Sequence, residues 1–211
     1  MSKKDAFIKM MDFRHACKIF DDTRKISDED MHYILEVARK SPSSFGMEAW
    51  KFLVITNDVL KEKLKPFCWN QPQITTCSHL VVVLAGIETL KVESGAVRTQ
   101  LSRRSMPQEK LDSFIELYGS HLSDTLSSND KIYQWSARQT YIASANMMSA
   151  AAFIGIDSCP IEGFEQENVE KVLELDTTVY QVAMMLPFGY RINEQSKQFR
   201  SNFENVVEFI D

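Results

Sequence analysis

Glycine is scarce: the 211 residues hold seven, at positions 46, 86, 95, 119, 155, 163 and 189. No two are separated by a single residue, so neither the G-x-G-x-x-G turn of a dinucleotide-binding βαβ unit nor a phosphate-cradling P-loop is present. The G-x-S-x-G elbow of many hydrolases is missing too. Any nucleotide cofactor must then be held by side chains and scattered backbone amides. Cysteine is also sparse. Cys17, Cys68, Cys77 and Cys159 form no C-x-x-C pair and no metal-finger spacing. The four histidines, His15, His32, His79 and His121, are scattered, with no H-E-x-x-H. These absences point to reduced structural thiols, a cytoplasmic setting and no metal. His32 and His121 are expected at the surface, and His79, abutting an apolar run, in a structural role.

An excess of basic charge is lacking as well. Net charge is −5 and the isoelectric point about 5.5, which argues against a nucleic-acid partner. The longest clean apolar run, 80–87, falls well short of the ~20 residues a membrane helix needs. The first seven residues are charged and then amphipathic, without the apolar stretch of a secretion signal.

What is present suits one sizeable core. Apolar residues make up 44% and charged residues 25%. A chain of this mass should fold to about 10,000 Å² of surface and bury roughly 70% of what its unfolded form exposes. Residues 4–13 place Phe7, Met10 and Met11 on one helical face. Ser27 and Asp30 have capping-box spacing, with Ile26 and Met31 as the staple. Met31, Ile34, Leu35 and Ala38 then form a helical stripe that ends before Pro42. Strands are expected at 50–56, at 80–85 (apolar throughout, hence buried on both faces) and at 179–186, the last ended by Pro187. Helices are expected at 60–67, at 107–122, from Asp130 to about Ile156, and at 165–175. The long one is apolar or small on almost every side beyond Tyr141, so it should cross the core. Met147, Met148, Met184 and Met185 read as core. The last stretch, 190–211, carries Phe199, Phe203, Val206, Val207, Phe209 and Ile210 but cannot form a core alone. It reads as an arm that docks elsewhere, with a second copy the attractive host.

Four separated segments combine polar groups with turns. Arg14-His15-Ala16-Cys17-Lys18 sets two cations four residues apart, able to grip a phosphate; a solvated basic turn has the same spacing. Ser41-Pro42-Ser43-Ser44 offers hydroxyls to a polar ligand, or is a plain connection. In Asn70-Gln71-Pro72-Gln73 the amides can read donors and acceptors of a heterocycle, or cap a helix. In Pro160-Ile161-Glu162-Gly163 the glycine lets backbone approach a flat ligand, or makes a tight turn. Lys197 and Arg200 are a further phosphate candidate. No Ser/His/Asp or Cys/His arrangement stands out.

Taken in order, these segments resemble the FMN-dependent nitroreductase family, close to the oxygen-insensitive NAD(P)H nitroreductases and dihydropteridine reductases. The resemblance runs through Arg14 to Phe20, Ser41 to Phe52, Asn70 to Val83 and Gly155 to Phe164, with the Lys/Arg pair at the end. It implies an α+β fold with a central, mostly antiparallel sheet flanked by helices. Residues 1–189 would form the flavin-binding domain, and the arm 190–211 would be exchanged in a homodimer with FMN at the interface. It further implies that Arg14, Lys197 and Arg200 hold the FMN phosphate, with His15 and Ala16 at the ribityl and phosphate end. Lys18, Asn70 and Gln73 would face the pyrimidine edge, and Ser43 and Ser44 would reach it from the partner. Ile161, Glu162 and Gly163 would present backbone near flavin N5 and O4. No side chain is expected to be catalytic in its own right. NADPH or NADH would reduce the flavin, and a nitroaromatic, quinone or similar small electron acceptor would reoxidise it in a ping-pong cycle. A flavin, pteridine or enone reductase, or a non-catalytic flavin binder, are the alternatives. Three departures stand out: Ala16 where the family often has serine, Glu48-Ala49-Trp50 in place of Gln-Pro-Trp, and Gln73 where close relatives often have lysine. The second adds a negative charge near the site, and the third predicts a lower flavin potential.

Overall fold

The computed structural model describes residues 2–210. Helix α1 (Lys3–Phe13) opens on a complete capping box, with Ser2 Oγ accepting from the Asp5 amide and the Asp5 carboxylate accepting from the Ser2 amide. Helix α2 (Asp28–Arg39) is capped by Ser27 and buries Met31, Ile34 and Ala38. Its box is only half made: the Ser27 hydroxyl takes the Asp30 amide, while the Asp30 carboxylate turns to that same hydroxyl at 2.9 Å. The staple pair Ile26 and Met31 is buried in one cluster.

The sheet has four antiparallel strands in the order β1-β2-β4-β3: β1 (Trp50–Ile55), β2 (His79–Gly86), β3 (Asp157–Ser158) and β4 (Tyr180–Gly189). Strand β2 is buried at every residue, and its alternate side chains feed two cores. Leu80, Val82 and Leu84 pack with Leu64, Cys68, Ile74 and Val169. Val81 and Val83 pack with Ile34, Ala38, Ala143 and Met147 on the opposite face. That second face belongs to α2 and to the long helix α7 (Asn129–Phe153), capped by Ser128. Met147, Met184 and Met185 are fully or nearly buried; Met148 is half-buried at the core's margin.

In β4 the alternation slips by one. Val182 and Met185 face one core, Met184, Leu186 and Phe188 the other, because Ala183 is an extra residue opposite the Val83/Leu84 step. The bulge is satisfied from outside the sheet: Glu170 accepts the Val182 N–H at 2.8 Å and Tyr133 donates to its carbonyl at 2.8 Å.

Several expectations are corrected here. The sheet has a fourth strand, β3, inside what reads as a loop. Strand β4 does not stop at Pro187 but runs to Gly189. The proline is tolerated because its carbonyl, and with it its amide position, faces the β3 side, where the Cys159 N–H meets that carbonyl at 3.1 Å. The helix expected at 60–67 is α3 (Asp58–Leu64) followed by a tight turn through Pro66, which cannot continue an α-helix. Helix α7 stops at Phe153, short of Ile156, and Gly155 comes next but one at φ +80°.

Between β2 and α7 the chain builds α5 (Ala96–Ser102) and α6 (Gln108–Thr125), which share a third core with the first half of α7. His121 is not simply a surface residue: its ring lies 5.4 Å from Phe45 and 5.9 Å from Trp135. Helices α4 (Gln73–Thr76) and α8 (Gln166–Val172) complete the fold.

After Arg191 the chain is extended apart from one short turn. Phe199, Phe209 and Ile210 are 79%, 80% and 90% exposed. Accessible surface totals 12,310 Å², above the about 10,000 Å² of a compact chain of this mass. The exposed arm is one visible source of that excess. No helix among the described residues is long and apolar enough to cross a membrane.

Candidate functional site

Three of the four polar segments meet beside β3. Ala16 forms a parallel bridge with Ser158, and the Cys17 N–H donates to the Ser158 carbonyl at 3.1 Å. This brings the Lys18 ammonium to 3.7 Å from Cys159 Sγ. From α4, Gln73 reaches the same sulfur with Nε2 at 3.8 Å. Burial pushes the Cys159 thiol above its ordinary value, and Lys18 opposes that rise. Cys17 is pushed up to about 11 by burial and by the nearby Asp157. All four cysteines are free and buried, so they sit as neutral thiols.

Gln71 ties the third segment in. Its Nε2 donates to the carbonyls of Cys68 at 3.0 Å and Gly163 at 2.9 Å, and its Oε1 accepts from Gln73 Nε2 at 2.9 Å. Gln73 is 1% exposed, and its Oε1 has no hydrogen-bond partner among the described residues. The ledge 161–163 is fixed by a two-way backbone pairing of Ile161 with Met185. Trp69 and Asn70 both adopt the left-handed conformation, at φ 54° and 52°. That turn lays the exposed Trp69 ring across Gly163, where any side chain would bring a Cβ within 2.6 Å of the indole. Glycine is needed at 163 for this close approach. The Glu162 carboxylate accepts from the Tyr141 hydroxyl at 2.8 Å.

Arg14 and His15 sit at a joint that local sequence patterning does not reveal. Asp157, buried at the start of β3, accepts the Arg191 N–H at 2.9 Å and lies 2.7 Å from its guanidinium. His15 Nδ1 stands 3.7 Å from the same carboxylate. Arg191 also lies over the Phe13 ring at 4.2 Å. Gln195 and Gln198 then donate to the carbonyl of Asp12 at 2.6 and 2.7 Å, and Gln198 also reaches that of Arg14. Lys197 and Arg200, by contrast, turn onto Phe199 in their own segment.

Ser43 and Ser44 are not brought to this cluster. They precede β1, and β1 and β3 are opposite edges of the sheet, about 14 Å apart at ordinary strand spacing. Ser43 Oγ accepts the Glu48 amide at 2.8 Å, and the Ser44 amide donates to Gln139 at 2.9 Å. Helix α5 and the turn after it clasp the adjoining Phe45 and Gly46. Gln100 donates to the Gly46 carbonyl at 3.1 Å, and Arg104 to that of Phe45. Phe45, at φ 53°, pushes its ring among Phe114, Tyr118, His121 and Trp135. The negative charge of Glu48 is met by Arg103 at 3.5 Å on a half-exposed surface.

A four-stranded antiparallel sheet between helices, with this helical excursion and terminal arm, is a nitroreductase fold. A nitroreductase-like protein of Streptococcus mutans has the same fold, at a TM-score of 0.87 and 19% identity, covering 99% of this chain and 100% of that one. So does a provisionally named nitroreductase of Exiguobacterium sibiricum, solved in complex with FMN, at 0.82 and 24%, covering 96% of both chains. The Nitroreductase family model matches residues 11–190. The Bacillus subtilis protein that carries the provisional name NAD(P)H nitroreductase YfkO is 38% identical over 217 residues, covering 98% of each chain. The chain belongs to the nitroreductase family, and it is an oxidoreductase.

Proposed function

We propose that this protein is an FMN-dependent reductase that takes electrons from NADPH or NADH and passes them to an electron-poor small molecule such as a nitroaromatic or a quinone. One observation supports this most. Lys18, Gln73 and the Gly163 ledge, far apart in sequence, are gathered round Cys159 and Gln71, and a buried amide oxygen there is unpartnered among the described residues. Those groups fit the polar edge of a flavin. Lys18, Asn70 and Gln73 would take the pyrimidine edge, and the backbone of Ile161, Glu162 and Gly163 the N5 and O4 side. Arg14, Lys197 and Arg200 would hold the phosphate, beside His15 and Ala16. FMN, when bound, supplies the hydride chemistry; the protein binds, orients and tunes it.

Lys18 is exposed, and its one polar neighbour among the described contacts is a neutral thiol. Its charge is therefore free to favour an anionic, reduced ligand. Gln73 is neutral, so this chain offers one cation where lysine-bearing relatives offer two, and a lower flavin potential is expected. One site serving reductant and acceptor in turn predicts ping-pong kinetics. The α5–α6 lobe, joined to the 43–48 loop, is placed to influence acceptor choice.

The working unit in this reading is a homodimer. Ser43 and Ser44 adjoin the opposite edge from Lys18, so they would serve the partner's flavin. The arm supports the same view: its apolar side chains are exposed, and the outer edge of β1 has no strand beside it among the described residues. An extended arm from a second copy would cover that edge. The purified protein should be yellow and should bleach on anaerobic addition of NADPH or NADH, and adding a quinone should restore the colour. A colourless protein that takes up no FMN would refute the proposal.

A further inference from the structure

The polarity of Gln73 is fixed by the protein, and this sets which edge of a flavin it can read. Two backbone carbonyls decide it. Those of Cys68 and Gly163 can only accept, so Gln71 must turn its NH₂ towards them, at 3.0 and 2.9 Å. Its Oε1 is thereby left facing Gln73 and can only accept. Gln73 must in turn give it an N–H, which it does at 2.9 Å. Cys159 Sγ at 3.8 Å lies on the same Nε2 side. The opposite end of the Gln73 amide is therefore an oxygen. That oxygen is buried and has no donor among the described residues. A flipped amide would set oxygen against oxygen at Gln71, so the network admits one orientation.

We infer that Gln73 Oε1 is an obligate acceptor for the imide N3–H of the bound flavin, with Gln71 as the residue that positions it. This rests on the proposal that the protein binds FMN. It assigns Gln73 a different task from a lysine at the same place. A lysine can only donate, and so acts on the flavin oxygens and N1, where negative charge grows on reduction. The N3–H stays protonated in oxidised and reduced flavin alike. A contact equally strong in both states strengthens binding without moving the equilibrium between them. Gln73 therefore acts on affinity, while the potential is left to Lys18.

The test compares binding of FMN with that of 3-methyl-FMN, which lacks the N–H, by fluorescence titration of the full-length apoprotein. The wild type is expected to bind 3-methyl-FMN about tenfold to a hundredfold more weakly, the range for an unpaired buried acceptor. In Gln73→Met most of that discrimination should disappear and FMN should itself bind more weakly, with the spectroscopic midpoint potential little changed. Gln71→Met should lower the discrimination too, because Gln73 can then turn over. Equal wild-type affinities would overturn the inference. So would a Gln73→Met midpoint that falls by about 30 mV or more, since that tenfold change in the two-electron equilibrium would mean Gln73 donates to the reduced flavin. If neither flavin binds the wild type, it is the cofactor proposal that fails; if both bind equally, only the role of Gln73 does.

Discussion

The β3 edge of the sheet and the β1 edge hold their polar segments in opposite ways. At β3 three segments, 14–18, 70–73 and 158–163, are drawn together within one chain, and a buried ion pair, Asp157–Arg191, locks the start of the arm beside them. At β1 the Ser43–Ser44 loop is clasped by α5 and α6, and the neighbouring strand edge is bare among the described residues. The β3 edge is nearly a finished half-site, whereas the β1 edge faces outward. The difference argues that a complete site needs two chains, each giving its β3 half to one flavin and its β1 half to the other.

The largest effect should come from breaking the lock on the β3 side. Asp157→Ala leaves the partly buried Arg191 without its carboxylate, and should cost about 3 kcal/mol, as for other broken buried pairs. Urea unfolding measures it, and a loss under about 1 kcal/mol would mean the pair does not hold that edge together.

Removing residues 199–211 should leave a folded chain, because Gln195 and Gln198 still bind the end of α1. Light scattering should then report a monomer, and FMN uptake should fall sharply. A truncated chain that stays dimeric and yellow would break the comparison.

A smaller effect separates the buried sheet from both edges. His79, where β2 begins, has its pKa lowered by burial and by the adjacent Lys61. The unfolded chain takes up a proton that the folded one refuses, so stability should fall as pH drops below the ordinary imidazole value near 6.5. His79→Asn should flatten that part of a plot of Tm against pH.

Smallest of all is Arg103→Gln at the β1 edge. The Arg103–Glu48 pair is half-exposed, so its loss should change stability by less than about 1 kcal/mol. A larger change would show that Arg103 is needed to hold the 43–48 loop.

Much of this frame is legible in the amino-acid order, for a physical reason. The run 80–85 is apolar at every position because β2 is covered on both faces, and the stripe from Met31 to Ala38 repeats every helical turn because one face of α2 is buried. Such patterns are local. What escapes is set by contacts at long range. Asp157 and Arg191 are 34 residues apart with no periodicity to link them, and β3 is two residues long. Gln71 carries no local sign that it orients Gln73. The four candidate segments are legible as turns with polar groups, but only their packing separates Lys18 and Gln73, which meet at one sulfur, from Ser43 and Ser44, which do not. Proline misleads in the other direction: Pro187 reads as a strand end, and the strand continues because its missing donor faces the short β3 side.

The two-chain site can be tested by mixing. Lys18→Ala removes a group from the β3 half, and Ser44→Trp blocks the β1 half. Each variant alone should bind FMN poorly as a folded dimer. Co-expressed, they should form mixed dimers in which one site combines both intact halves, so about a quarter of all sites should regain FMN, as two-fold symmetry requires. No recovery in mixed dimers that are folded and paired would contradict the account and place both halves of the site in one chain.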